Sequence, residues 1–143
     1  MYYVIKYLLL TDQQREDSST NQSPFVIDYG RHYAKLNPEN EIICFYRSVH
    51  LIKVVTFDQE FETRGYSIND IETLFLGRGF IRINRSTVVN MKFVKGYSSG
   101  SKRDTLNILF NAYLPDHLDD EIFVVTDKHL DGFKNYLADN SVE

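Results

Sequence analysis

Phe80-Ile81-Arg82-Ile83-Asn84-Arg85-Ser86-Thr87-Val88-Val89-Asn90-Met91-Lys92-Phe93-Val94 is the stretch that decides how this chain is read. Its apolar residues (Phe80, Ile81, Ile83, Val88, Val89) anchor it to a core. Its cations (Arg82, Arg85, Lys92) suit a phosphate or a guanine edge. Asn84, Ser86, Thr87 and Asn90 can hydrogen-bond and shape a turn. A strand ending in a basic, hydrogen-bonding loop fits a nucleic-acid groove. An ordinary strand–turn–strand with solvated arginines has the same composition.

The basic character extends outward. Seven cations and no acid lie between Arg78 and Arg103: Arg78, Arg82, Arg85, Lys92, Lys95, Lys102 and Arg103. The remaining 9 of 16 cations face all 20 acids, within a formal charge of −4. The overall sign argues against general nucleic-acid binding. A basic segment on an acidic body instead orients the molecule towards a polyanion and discourages wrong-face contacts.

At 143 residues the chain fits one domain with a real core. Apolar residues make up 43% and aromatics 14%, which excludes global disorder. Ten Tyr and ten Phe without Trp favour strands. Cys44 is the single cysteine, so no intramolecular disulfide can form. It sits in the apolar run Ile-Ile-Cys-Phe-Tyr and reads as a small buried hydrophobe. The lack of a disulfide framework fits a reducing compartment. Tyr2–Leu10 is apolar but falls short of the ~20 residues that span a bilayer. It lacks a basic start and a small-residue cleavage site, so it is not a signal peptide. The expected location is cytoplasmic, with no membrane partner.

Patterning predicts a mainly β fold with two short helices. Residues 1–24 read as an N-terminal extension, a strand (Tyr2–Leu10) followed by a mobile loop. Residues 25–143 read as the folded domain. A hairpin is predicted around Tyr29-Gly30-Arg31, and a turn at Asn37-Pro38-Glu39-Asn40. Strands are expected over 41–47, 50–57 and 61–64. Ser67 then caps a helix with Asp70 in its first turn; Ile68, Ile71, Leu74 and Phe75 share one face, and Gly77 ends it. Strands follow over 80–83 and 91–97, then over 105–112 with Leu106, Ile108 and Phe110 inward, and over 121–126. Thr126 or Asp127 caps a final helix with the stripe Leu130, Phe133, Tyr136 and Leu137.

Catalytic and metal-binding patterns are lacking. Gly77-Arg78-Gly79 has neither the third glycine nor the Lys-Ser/Thr of a phosphate loop. The histidines at 32, 50, 117 and 129 form no HExxH, and no cysteine pair exists. His117 stands near Asp116, Asp119, Asp120 and Glu121, a composition that fits a solvated acidic turn better than a cation site. No cofactor and no enzymatic activity are expected.

Phe80-x-Arg82-x-Asn84-Arg85-Ser86-x-Val88-Val89-Asn90 resembles the signature of LytTR DNA-binding domains, Phe-x-Arg-x-His-Lys/Arg-Ser-x-x-Val-Asn. Upstream, Glu41-Ile42-Ile43-Cys44-Phe45-Tyr46 resembles the family's acid-Ile-x-Tyr-x-Glu strand, followed by His50 and 51–56. The helix at 67–76 stands where the family has Leu-x-x-Leu/Ile-x-x-x-Leu. Phe123-Val124-Val125-Thr126-Asp127-Lys128 stands where it has Val-Ser-Arg-Arg. The likeness covers about residues 25–139.

The resemblance implies packed antiparallel β-sheets and duplex DNA read by loops rather than by a recognition helix. Carried over position by position, it implies base-edge contacts from His50, Arg85 and Lys128. Ser48, Asn84, Ser86, Asn90, Lys92 and His129 are expected to hold phosphate or shape the loops. Arg82 alternates with core positions and falls between an acid partner and DNA. Implied partners are double-stranded DNA, a second copy as homodimer or paired subunits on adjacent repeats, and RNA polymerase or another regulator. A protein-interaction module that modulates another regulator without binding DNA is the alternative. Two departures stand out: Asn84 replaces the usual His, and Asp127 stands where a cation is usual. Family members often carry an N-terminal receiver domain. About 24 residues precede the likeness here, so a stand-alone regulator is expected, with Tyr2–Leu10 adding to a sheet edge or forming a dimer contact.

Overall fold

A computed structural model describes residues 25–29 and 32–140 of the chain. The elements expected at Tyr2–Leu10, in the loop to residue 24 and at Gly30-Arg31 lie outside the described residues. Among the described residues the protein is mostly β, in three antiparallel sheets with short helices. β1 (Phe25–Tyr29) and β2 (His32–Leu36) form the expected hairpin. The largest sheet orders β5 (Glu60–Thr63), β4 (Leu51–Thr56), β3 (Ile42–Ser48), β7 (Thr87–Asn90) and β6 (Phe80–Asn84). The third sheet orders β10 (Val124–Val125), β9 (Leu106–Phe110) and β8 (Val94–Ser99).

The centre of the five-stranded sheet is buried on both faces, in β7 and the first half of β3. In the β3–β7 pair Phe45 lies opposite Val88 and Cys44 opposite Val89. Successive residues point to opposite faces, so the two pairs enter different cores. Phe45 and Val88 join Phe25, Ile52, Val54, Ile71, Phe75 and Phe80. Cys44 and Val89 join Ile83, Met91, Val94, Ile108, Phe123, Val125 and Phe133. In the first core the Phe75 and Phe80 rings are 4.9 Å apart, and Phe25 meets Phe45 edge-on at 5.7 Å. Such pairs add about 0.5–1.5 kcal/mol each beyond the area they bury. Burial pushes the Cys44 thiol well above its usual range, with the Glu60 carboxylate adding to the shift. It packs as a hydrophobe.

Helix α1 (Pro38–Glu41) is a single turn begun by Asn37 with Pro38 at its first position. Helix α2 (Ile68–Leu74) begins with a reciprocal capping box. The Asp70 amide donates to Ser67 Oγ at 3.0 Å, and the Ser67 amide donates to Asp70 Oδ2 at 2.8 Å. Gly77 and Gly79 hold φ of +80° and +86° in the turn to β6, a region that favours glycine. Helix α3 (Leu130–Asn140) buries Phe133, with Leu130, Tyr136 and Leu137 packed against the second core.

The structure corrects three element assignments. Thr87–Asn90 is a strand in its own right, and Met91–Phe93 is a 3-10 turn before β8. All four residues of β7 are buried, so no alternation marked it. The strand expected over 121–126 shrinks to Val124–Val125, because Asp119 Oδ1 accepts the Glu121 amide at 3.0 Å and curls Asp120–Phe123 into a 3-10 turn. The final helix starts later than expected. Thr126 heads a 3-10 turn (Asp127–His129) without a side-chain cap, and α3 follows. Among the described residues no helix is long and apolar enough to cross a membrane. None of them forms a group of three or more His, Cys, Asp or Glu able to hold a metal.

Candidate nucleic-acid interface

Strand register brings three turns to one end of the five-stranded sheet. The β3–β4 hairpin closes at Ser48↔Leu51, leaving Val49 and His50 at its tip. The β6–β7 hairpin closes at Asn84↔Thr87, leaving Arg85 and Ser86 at its tip. β3 runs antiparallel to β7 with Tyr46 opposite Thr87, so the two tips are neighbours. The Arg47 amide donates to the Ser86 carbonyl at 2.9 Å and joins them. The third turn arrives from far along the chain: the Thr126 amide donates to the Ile83 carbonyl at 3.0 Å, placing Lys128 beside the same hairpin. His50, Arg85 and Lys128 are all exposed.

The Arg85 turn is held from inside. Arg82 is only 13% exposed in its side chain. Its Nε donates to the Asn84 carbonyl at 2.7 Å and its Nη2 to the Arg85 carbonyl at 2.8 Å. Its Nη1 donates to Asn69 Oδ1 at 2.7 Å and to Glu72 Oε1 at 3.0 Å, tying the turn to α2. Asn84 is buried, 8% exposed. Its Nδ2 donates to the carbonyls of Ile122 at 3.1 Å and Val124 at 2.9 Å, while its Oδ1 accepts the Ser86 amide at 2.8 Å. A single amide side chain thus fastens the Arg85 turn to the segment that leads to Lys128. Buried polar groups satisfied in this way stiffen their surroundings.

Two hollows flank Arg85. One, of about 540 Å³, is lined by Asn69, Glu72, Arg82, Arg85, Lys128 and His129 among others. The other, of about 300 Å³, brings in Ser86, Ser101, Lys102 and Glu121. Glu72 is paired with Arg82, whereas Arg85, Lys102 and Lys128 are exposed. His129 is held below the usual imidazole range, first by partial burial and then by the Arg82 guanidinium and Lys128 ammonium, with Glu72 opposing. A neutral imidazole therefore sits among cations, a setting in which an arriving anion favours its protonation.

The expected site residues divide by position. Ser48, His50, Asn84, Arg85, Ser86, Lys128 and His129 lie at this end. Asn90 and Lys92 do not. Phe80 pairs with Asn90 at the opposite end of the β6–β7 hairpin, so the strand returns them away from Arg85. Asn90 is 2% exposed, and its Nδ2 donates to the carbonyls of Pro38, Glu39 and Ile42. Its Oδ1 accepts the Lys92 amide at 3.0 Å. Asn90 shapes the 3-10 turn and binds it to α1. Lys92 donates through Nζ to Asn40 Oδ1. At the start of the last helix the His129 amide donates to the Thr126 carbonyl and the Leu130 amide to that of Asp127. His117 pairs with Glu60 at 2.6 Å rather than with acids of its own turn.

Sequence reasoning left one contributor open and missed another. Arg82, expected to fall between an acid partner and DNA, pairs with Glu72 and acts as the inner clamp. Lys102 reaches the site from the β8–β9 hairpin tip, and only its place in the basic segment hinted at it.

Residues 34–137 match the family model of the LytTr DNA-binding domain. Among solved structures, a LytTr DNA-binding domain from a protein described as a methyl-accepting/DNA response regulator of Bacillus cereus is similar in fold. Its TM-score is 0.63 at 15% identity, covering 80% of this chain and 95% of that one. None of the curated proteins matches the chain.

Proposed function

The chain belongs to the LytTr DNA-binding domain family, and we propose that it is a sequence-specific transcription regulator that reads the major groove of duplex DNA with loops. The observation that carries this reading is the convergence of His50, Arg85 and Lys128, all exposed, on one end of a rigid sheet. A major groove about 12 Å wide admits a two-stranded hairpin tip. Arg85 donates two hydrogen bonds to guanine O6 and N7. Lys128 adds a compact charge with less direction, and His50 donates or accepts according to its tautomer. Ser48, Ser86 and His129 border the phosphates, while Asn84 holds the loop in shape. Lys102 adds to the phosphate contacts.

Residues 25–143 act as the DNA-binding unit. The regulator works in the bacterial cytoplasm as a homodimer or as paired subunits on adjacent repeats, since linking two short sites raises affinity without new contacts. Its protein partner is RNA polymerase or another regulator. The family is one of DNA-binding domains, and no catalytic step is assigned.

Selection of bound duplexes from a random pool tests this reading. Enrichment of one short, guanine-containing motif is expected, with Arg85→Ala relaxing the preference at a single position. Failure to enrich any duplex at low salt overturns it and favours the interaction module.

A further inference from the structure

Val49 stands apart from its neighbours at the reading end. It is a β-branched residue with φ of +56°, in the left-handed region that such side chains rarely adopt. It is also 82% exposed, so no core contact holds the side chain there. It forms the β3–β4 hairpin tip between Ser48 and His50, next to the Arg85 turn. Glycine or asparagine would take this conformation more easily. A bulky aliphatic group held at a strained, solvent-facing tip is a candidate for an apolar contact made on binding. In a major groove that apolar group is the C5-methyl of thymine.

We propose that Val49 is a specificity residue, its isopropyl group packing against a thymine methyl beside the base edge that His50 reads. This rests on the DNA-binding reading above and deepens it, by adding an apolar contact to a hydrogen-bonding set. Its position at the tip lets it meet a base without Ser48 or His50 giving way. Ser48 and His50 supply the polar rim on either side, which excludes water from the methyl contact once the tip is seated.

The test uses the site selected from the random pool. Each thymine in turn is replaced by uracil, which removes the methyl and leaves the pairing edge intact. Binding of the full chain is then titrated for the unaltered protein, Val49→Gly and Val49→Asn. Both variants suit the backbone, and their folding is checked by circular dichroism. One thymine-to-uracil change should weaken the unaltered protein about fourfold, the loss of one buried methyl contact. The same change should leave both variants within about 1.5-fold, because the partner group is already gone. The proposal is overturned if no single replacement weakens the unaltered protein, or if the response persists at full size in both variants. Absence of any selected duplex would instead strike the underlying DNA-binding reading, and the two failures are thereby told apart.

Discussion

Arg82 Nη2 donates to the main-chain carbonyl of Arg85 at 2.8 Å, so one guanidinium positions the backbone that presents another. The two arginines are three residues apart and have opposite fates. Arg82 faces inward to Asn69 and Glu72, and Arg85 faces solvent.

Arg82→Ala should therefore act through stability. It leaves two carbonyls and Glu72 without their donor, at about 2–3 kcal/mol. Urea denaturation should show that loss, and DNA affinity should fall with it. Arg82→Lys restores charge opposite Glu72 but cannot fork to both carbonyls, so recovery should be partial. Full recovery of stability by lysine would contradict the clamp.

Arg85→Ala should do the reverse. Stability should stay within about 0.5 kcal/mol, as for other exposed positions. Specific binding should weaken by about 1–3 kcal/mol while binding to random duplex changes little. A gel-shift titration against both DNAs checks this, and equal weakening on both would reassign Arg85 to phosphate.

Lys102 and Lys92 separate by location. Lys102→Ala should reduce the slope of log affinity against log salt by about 1. Lys92→Ala should leave it unchanged, since its turn lies at the far end of the β6–β7 hairpin. A reduced slope for Lys92→Ala would show that DNA wraps to that end.

Asn84→Asp replaces a double donor by a carboxylate facing the carbonyls of Ile122 and Val124. A destabilisation of about 2–3 kcal/mol is expected. Hydrogen exchange should report earlier opening of residues 122–126 than of β3 or β4. Uniform opening across all strands would mean that Asn84 does not act locally.

His129 links stability to pH. Its folded-state pKa lies below the ordinary 6.5, so the unfolded chain takes up a proton first as pH falls. Its contribution is present above that value and is lost as pH drops through it towards the depressed one. His129→Gln should flatten this acid-side loss in denaturation curves taken at about pH 8 and about pH 5. An unchanged loss would assign the effect to another group.

Much of this was legible from local pattern. The Ser67–Asp70 box, the Phe133 stripe and the β1–β2 hairpin each involve residues close in sequence, where periodicity and capping chemistry speak directly. β7 was not legible, because Thr87, Val88, Val89 and Asn90 are all buried and lose the alternation that reveals a strand. Loop shaping by Asn84 and Asn90 was expected, but their partners were hidden because these lie 38–52 residues away. The placement of Lys92 was not legible either, because it is seven positions from Arg85 and the hairpin turns the chain around between them. The three exposed base-contact candidates came from the resemblance; register brings the His50 and Arg85 turns together, and the Thr126–Ile83 hydrogen bond brings Lys128 to the same end.

With the central strands β3 and β7 packed on both faces, the middle of the sheet has only its extremities to offer the outside world. Val49, His50, Arg85 and Lys128 support no packing, so they can be exchanged without disturbing what lies beneath. Exchanges at these tips would leave the chassis intact, with Arg82 and Asn84 still fixing the course of the Arg85 turn.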